Sequence, residues 1–196
     1  MRVDELWSAA YALEAFAGMK YGKYKDTNTR DIPREIFEQY KHRLPETWAR
    51  RAEHWYTEQE HVEQAAEAWQ RGDIEAYGKL SFESGKSSIE NWEKGCPELK
   101  CLYDIMTRTD GIYGDRFSGV GFKGCCVAVI DPALRDSIIE KVTTEYLKVF
   151  PDLIGKYKSI ICHSADGIRL SYKDYAVSYI SCGLRYPLIS PYREFP

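Results

Sequence analysis

The chain has 196 residues, of which 44% are hydrophobic and 14% aromatic, so it is long enough to bury a core of its own. Its formal net charge of −3 argues against the basic surface that nucleic acids or anionic membranes require. No apolar run approaches the length of a membrane span, and residues 1–6 lack the apolar stretch of a signal peptide, which favours a cytoplasmic protein.

The first half of the chain has the apolar spacing of helices. A first helix ends near Gly18. A short second helix follows the predicted cap Asp31, with Pro33 in its first turn. A long helix then runs from Pro45 to about Arg71.

The second half alternates between helices and strands. The turn over 71–73 caps a further helix, Pro97 begins another, and one more lies between Pro132 and Pro151. Four segments have the residue types of strands: 111–118, 124–130, 157–163 and 167–172. The order helix, strand, strand, helix, strand, strand predicts an α+β domain in which helices cover one face of an antiparallel sheet.

A glycine pattern joins the first two predicted strands. Gly119, Gly121 and Gly124 form G-x-G-x-x-G, which in dinucleotide-binding proteins lies between a strand and a helix. Here the apolar run 125–130 follows and is ended by Asp131-Pro132, so the next element is a strand. The Rossmann interpretation is therefore excluded.

Two other sets of residues suggest metal or redox chemistry only weakly. The six cysteines are scattered and none forms a C-x-x-C pair, so we predict buried free thiols in a reducing compartment. His54, Glu58 and His61 share one helical face without the H-E-x-x-H spacing, which favours a solvated charged face over a metal site.

Several motifs occur in order along the chain: R-R-A-E-H (50–54), R-G-D (71–73), G-K-L-S-F-E-S (78–84) with S-S (87–88), C-P-E-L (96–99), G-I-Y-G-D-R-F-S-G-V-G-F-K-G-C (111–125) and A-D-G (165–167). Together they resemble the C-terminal half of galactokinases, in the GHMP sugar-kinase superfamily. The resemblance covers roughly residues 1–170.

The resemblance implies a fold and a division of the chain. The expected fold is the GHMP kinase C-terminal domain, which is α+β, with a ferredoxin-like antiparallel four-stranded sheet, helices on one face and an N-terminal helical extension. The domain would span 1–173, mostly helical over 1–95 and α+β over 96–173, followed by a tail over 174–196. In the tail region, Tyr172, Tyr175 and Tyr179 have helical spacing, and the tail is either a strap on the domain or an aromatic docking surface.

In the family, the motif matched here by residues 111–125 lies beside the active site. This implies a phosphate-proximal loop made of Ser118, Gly119, Val120, Gly121, Phe122, Lys123 and Gly124. Backbone N–H groups of such a loop can bind phosphate, and Lys123 would add a charge. The alternative is a tight turn kept for folding. The supporting residues are Arg116, Glu83, Ser84 and Asp166. We expect Arg116 to pair with a surface carboxylate or contact phosphate, and Glu83 and Ser84 to hydrogen-bond to the neighbouring strand.

The departures from the family pattern concern the loop and one histidine. Val120 and Lys123 replace two family glycines, and Gly85 replaces the histidine of E-S-H. The family's N-terminal half, which supplies the sugar-binding segment, the glycine/serine loop for ATP phosphates and the catalytic aspartate, has no counterpart here. No catalytic residue and no metal ligand is therefore assigned in this chain.

Two function hypotheses follow. The first is the C-terminal lobe of a split galactokinase-like sugar kinase, inactive alone, with ATP and Mg²⁺ bound only in the complete enzyme. Its partners would be an N-terminal kinase half or a second copy, and its substrate galactose or a related sugar. The second, favoured by Val120, Lys123 and Gly85, is a non-catalytic binding or interaction module descended from a galactokinase. A truncated product without a role of its own is a third possibility.

Overall fold

The computed structural model describes residues 2–20, 22–119, 121–122 and 124–162, together with the backbone of 168–172 and 175–180. The helices of this part are α1 Arg2–Phe16, α2 Arg34–Tyr40, α3 Glu46–Gln70, α4 Ile74–Glu90, α5 Pro97–Thr107 and α6 Arg135–Val149. Its strands are β1 Ile112–Ser118, β2 Cys125–Ile130, β3 Ile168–Tyr172 and β4 Tyr175–Ile180. The chain divides into two units, Met1–Tyr157 and Lys158–Pro196.

The predicted helices are confirmed, and their ends follow the expected chemistry except at one cap. Gly18 takes a positive φ of 64° just after α1. The Asp73 side chain accepts the Ala76 N–H at 3.0 Å and caps α4. The prediction that Asp31 caps α2 is wrong, because Asp31 belongs to a short 3-10 turn and Pro33 occupies the N-cap position.

The strands pair as two antiparallel hairpins. β1 pairs with β2, from Ile112 opposite Ile130 to Ser118 opposite Cys125, so the glycine loop joins two strands and not a strand to a helix. β3 pairs with β4 in a separate sheet. The α+β class is confirmed. The single four-stranded sheet is not confirmed and stays a prediction.

Two local predictions from Tyr157 onward need correction. The segment 157–162 forms no strand, and His163 lies outside the described residues. Ile160 is 75% exposed, so the apolar residues of this segment are not covered as a strand's inner face would be. The prediction of a helical stripe formed by Tyr172, Tyr175 and Tyr179 is also wrong. Residues 175–180 form β4, in which Tyr175, Val177 and Tyr179 follow the period of two typical of a strand. The remainder of the predicted tail lies outside the described residues.

Two apolar cores lie within the first unit. One joins α1, α2 and α3, and its buried members include Leu6, Ala9, Leu13, Ile32, Phe37, Ala52 and Tyr56. The other joins α5, α6 and one face of the β1–β2 hairpin, and it contains Leu102, Ile105, Met106, Ile138, Val142 and Tyr146. None of the described helices has an apolar stretch long enough to cross a membrane.

α4 meets β1 through two glycines. A Cβ added to Gly78 would overlap the carbonyl group of Tyr113, and a Cβ added to Gly114 would overlap the backbone of Gly78. The helix and strand backbones therefore lie closer than side chains would allow. This contact fixes β1, and with it the glycine loop that follows, against α4.

Candidate functional site

The glycine loop is held in its conformation by its own glycines and by the start of α5. Gly119, Gly121 and Gly124 have φ values of 81°, 79° and 120°, in the region that favours glycine. The Cys96 N–H donates to the Gly121 carbonyl oxygen at 3.0 Å. A Cβ added to Gly121 would lie 3.0 Å from Cδ2 of Phe117, so little room for a side chain exists at that position.

The other predicted loop residues divide into described and undescribed ones. Ser118 ends β1 with an exposed side chain. Phe122 is 49% exposed, and the Arg2 guanidinium carbon lies 5.3 Å from the centroid of its ring. Three predicted site residues lie outside the described residues: Val120, Lys123 and Asp166.

Cationic side chains converge on this loop from three elements. Arg2 begins α1, Lys94 lies between α4 and α5, and Arg116 lies on β1. The Lys94 Cβ is 3.4 Å from the position that a Cβ on Gly121 would take. Burial and then the neighbouring charge of Arg116 lower the pKa of Lys94, and Arg2 lowers it further. Sequence analysis missed Arg2 and Lys94, because no local pattern connects residues so distant along the chain.

The predicted supporting residues form a polar network between α3, α4 and β1. The Ser84 hydroxyl donates to Oε2 of Glu58 at 2.8 Å, and Nη2 of Arg116 lies 3.9 Å from the same oxygen. Arg116 therefore lies beside a carboxylate, but that of the half-buried Glu58 and not of a surface residue, and its contact with phosphate stays a prediction. Ser84 bonds to α3 and not to a strand, so that part of the prediction is wrong. Glu83 is 45% exposed and lies 3.6 Å from Nε2 of His61.

The predicted solvated face of α3 is an interface instead. His54 is only 8% exposed, and its Nδ1 lies 2.9 Å from the Ser87 hydroxyl on α4. Burial lowers the pKa of His54 to about 4, so its imidazole is neutral at pH 7. His61 is also half-buried, with Nδ1 2.9 Å from Oε1 of Glu58. No cluster of three acidic, histidine or cysteine side chains suited to a metal occurs in the described part of the chain.

The R-R-A-E-H motif is explained by a buried arginine. The Arg51 side chain is 2% exposed and joins three parts of the first unit. Its Nε donates to Glu5 of α1 at 2.7 Å, and its Nη2 donates to Glu93 at 2.6 Å. Its Nη1 donates to the carbonyl oxygen of Asn91, just beyond α4. The motif therefore holds α1 and the α4–α5 connection, which carries Lys94, on α3.

Substitution of Arg51 by methionine tests this role. We expect a loss of about 3 kcal/mol in the free energy of unfolding, because the variant removes a buried cation that donates to the Asn91 carbonyl oxygen and to the carboxylates of Glu5 and Glu93. Arg50→Met is the matched control, since Arg50 is 35% exposed and should cost less than about 1 kcal/mol. Urea unfolding followed by circular dichroism measures both, and equal losses would contradict the assigned role.

The cysteines differ from the prediction in burial. Among the described residues, all five cysteines are free and none is fully buried, and Cys125 and Cys162 are exposed. The outer face of β2 is open, which exposes Cys125 next to the glycine loop. Burial raises the pKa of Cys126, so this thiol stays protonated.

A surface depression of about 320 Å³ lies along α6 and is lined by Ser137, Glu140, Lys141, Thr144 and Glu145. All five residues belong to one helix, and none belongs to the glycine loop or its cationic neighbours. This depression is therefore separate from the glycine loop.

Comparison with known proteins gives relatives of one kind. No protein-family model matches the chain. The chain is 37% identical over 174 residues to the galacturonokinase of Arabidopsis thaliana, a match covering 87% of this chain and 40% of that protein. It is 29% identical over 140 residues to the galactokinase of Roseiflexus sp. (strain RS-1), covering 71% of this chain and 35% of that protein.

A solved structure shows the same fold. The crystal structure of Lactococcus lactis galactokinase complexed with galactose matches with a TM-score of 0.65 at 22% identity. The match covers 76% of this chain and 37% of that one. The chain therefore spans about 40% or less of the length of these relatives.

Proposed function

This chain is related by sequence and by fold to one portion of the galactokinases, and on that premise we propose that it is the C-terminal lobe of a galactokinase-like sugar kinase. The complete enzyme would transfer a phosphoryl group from ATP, with Mg²⁺, to galactose or a related sugar. The names of the relatives make galacturonate the second substrate to test. A separate polypeptide would supply the catalytic aspartate and the glycine/serine loop for ATP.

The observation that carries this proposal is the glycine loop between β1 and β2. Its glycines are fixed at positive φ, and Gly121 is tied to the start of α5 through Cys96. Three cations lie nearby: Arg2 reaches Phe122 of the loop, Lys94 adjoins Gly121, and the charges of Arg2 and Arg116 both act on Lys94. Phosphoryl transfer depends on groups positioned to stabilise phosphate charge, and backbone N–H groups with nearby cations supply that.

Each part of the lobe then has a physical role. The Gly78–Gly114 contact sets the short distance between the backbones of α4 and β1. Arg51 holds the α4–α5 connection in place through Glu93. The loop covers the phosphates, and Arg116 on β1 orients them or supports the loop. ATP supplies the transferred group when bound, while the chain's own residues bind, orient and neutralise charge.

Reconstitution tests the proposal directly. The chain alone should show no turnover with ATP, Mg²⁺ and either galactose or galacturonate. Turnover should appear when the chain is mixed with the part of the Arabidopsis galacturonokinase that it does not match, expressed separately. ADP release measures the rate. A Gly121→Val variant should abolish the gain, because the loop has no room for that side chain.

The controls are the kinase segment alone and the chain alone. Measurable turnover by the pure chain would refute the split arrangement. A mixture that neither co-elutes on gel filtration nor turns over would favour the alternative function. A tagged pull-down from the native host identifies the natural second half, which would carry a glycine/serine phosphate loop.

A non-catalytic binding module is the second candidate, and one observation favours it. Where galactokinases have the histidine of E-S-H, this chain has Gly85. A Cβ there would lie 2.5 Å from Cε2 of Tyr103, whose hydroxyl donates to the Phe82 carbonyl oxygen at 2.6 Å. Tyr103 therefore fills the space in which a histidine would stand, and that part of the family motif cannot be restored without moving the Tyr103 ring.

A further inference from the structure

We infer that Lys94, with Arg2 and Arg116 beside it, forms an oxyanion-binding wall next to the glycine loop. Lys94 is the central binding residue of this wall. The identity of its ligand rests on the proposed kinase function. The existence of the wall rests on the contacts of Arg2 with Phe122 and of the Lys94 Cβ with the Gly121 position, together with the electrostatic effect of Arg2 and Arg116 on Lys94, whose ammonium lies 5.9 Å from the ring centroid of Trp92.

The backbone that carries Lys94 is fixed relative to the loop. The Lys94 N–H donates to the Ser88 carbonyl oxygen at 2.9 Å, which ties this residue to the end of α4. Two residues later, Cys96 donates to Gly121. Because both hydrogen bonds involve backbone atoms, they hold the backbone of Lys94 close to the glycine loop.

Arg2 contacts both the loop and the residue before Lys94. Its Nη2 donates to the Glu93 carbonyl oxygen at 2.8 Å, and its guanidinium lies over Phe122. Its Nε is buried and has no hydrogen-bond partner among the described residues. A buried N–H of a charged group without a partner is costly, so a ligand oxygen that accepted it would be favoured.

The positive charge at this point is only partly balanced by the protein, through Glu58. Lys94 forms no ion pair among the described residues, and burial with Arg116 and Arg2 lowers its pKa against the opposing effect of Glu58. Glu58 already accepts from Ser84 and lies 2.9 Å from His61, so it is shared. A half-buried lysine that feels the charges of two arginines is electrostatically unfavourable until an anion binds.

The ligand chemistry is an oxyanion, and two parts of a sugar-kinase reaction could supply it. One is the polyphosphate chain of a nucleotide. The other is the carboxylate of a sugar acid. Both present several oxygens to a lysine and to arginine N–H groups. The side chains of the wall therefore favour an oxyanion but do not distinguish between these two sources.

Titration calorimetry on the pure full chain at low salt tests the wall. Sodium tripolyphosphate and galacturonate are the two anions, and galactose is the neutral control. We expect saturable binding of at least one anion and none of galactose. Lys94→Gln should weaken that binding by about tenfold, as expected for loss of one charge-assisted contact. Lys79→Gln removes an equal charge from a residue 79% exposed on α4 and should leave the affinity within about twofold.

The outcomes distinguish the two possible sources of the anion, and they separate this inference from the kinase proposal. Binding of tripolyphosphate alone assigns the wall to a phosphate chain, and binding of galacturonate alone assigns it to a sugar acid. If Lys94→Gln does not fold, Lys94→Arg should keep the wild-type affinity, and its loss would overturn the inference. No saturable binding of either anion, or equal losses in the Lys94 and Lys79 variants, would also overturn it. Since no second half is needed, failed reconstitution with intact anion binding would remove only the kinase proposal.

Discussion

Replacement of Gly78 by alanine should lower the free energy of unfolding by at least about 3 kcal/mol, although alanine is the better helix former. The added Cβ would overlap the carbonyl group of Tyr113, and both partners are backbone atoms in regular elements. Neither can turn aside as a flexible side chain can. The helix or the strand must move, which breaks packing along the whole α4–β1 contact.

The matched control is Gly22→Ala. A Cβ at Gly22 would meet nothing within 4 Å, and its φ lies outside the region that requires glycine. Alanine there should be neutral or slightly stabilising. Urea unfolding at constant pH measures both variants. A Gly78→Ala protein as stable as the control variant would mean that α4 and β1 can separate without cost, and the loop would then lack its support.

The effect of Gly78→Ala should extend to the loop, because β1 carries both Arg116 and the loop itself. We expect the anion affinity of any folded Gly78→Ala protein to fall as well. A destabilised protein with unchanged affinity would show that the loop is positioned by α5 through Cys96 rather than by β1.

The helices could be predicted from the sequence because their signals are local. Apolar spacing and residues such as Gly18 and Asp73 act within one turn, so no tertiary information is needed. The hairpin β1–β2 was equally accessible, since the run after Gly124 has strand residues and ends at a proline. The strand predicted over 157–163 does not form over its described part, 157–162, because apolar composition alone does not provide a neighbouring strand to pair with.

The candidate site was predictable only in part. The glycine loop is visible as a pattern, whereas the convergence of Arg2, Lys94 and Arg116 depends on how α1, the α4–α5 connection and β1 are packed. His54 shows the same limit, because its helical face is polar in sequence yet is covered by α4. A polar face predicts exposure only when no second polar element packs on it.

Asp115 was missed although the sequence held a signal. It alternates with Phe117 on the inward side of β1, and a carboxylate at an inward strand position is unusual. Its side chain is fully buried, and neither of its oxygens has a hydrogen-bond partner among the described residues. Burial raises the pKa of Asp115 to about 8. The neighbouring Tyr103 and Cys126 offer no charge to balance it, since burial raises both of their pKa values and Asp115 raises them further.

This carboxyl should make the protein less stable as the pH rises. In the unfolded chain Asp115 loses its proton near pH 4, whereas in the folded chain it keeps the proton up to about pH 8. The folded state therefore binds more protons between these values, and its stabilisation is complete below pH 4 and lost by about pH 8. The expected slope is up to about 1.4 kcal/mol per pH unit, and it is opposite in sign to ordinary acid denaturation.

Asp115→Asn isolates this slope, because the amide does not titrate. His54 acts in the opposite direction, since its lowered pKa of about 4 removes stability as the pH falls, so the wild-type curve alone is ambiguous. The difference in unfolding free energy between wild type and Asp115→Asn cancels the His54 contribution and should change steadily from pH 4 to pH 8, in favour of the variant. Asp104→Asn, at a side chain 76% exposed, should show no such difference. If the difference in unfolding free energy between wild type and Asp115→Asn does not vary with pH, the Asp115 carboxylate is ionised in the folded protein and is paired with a cation or hydrated.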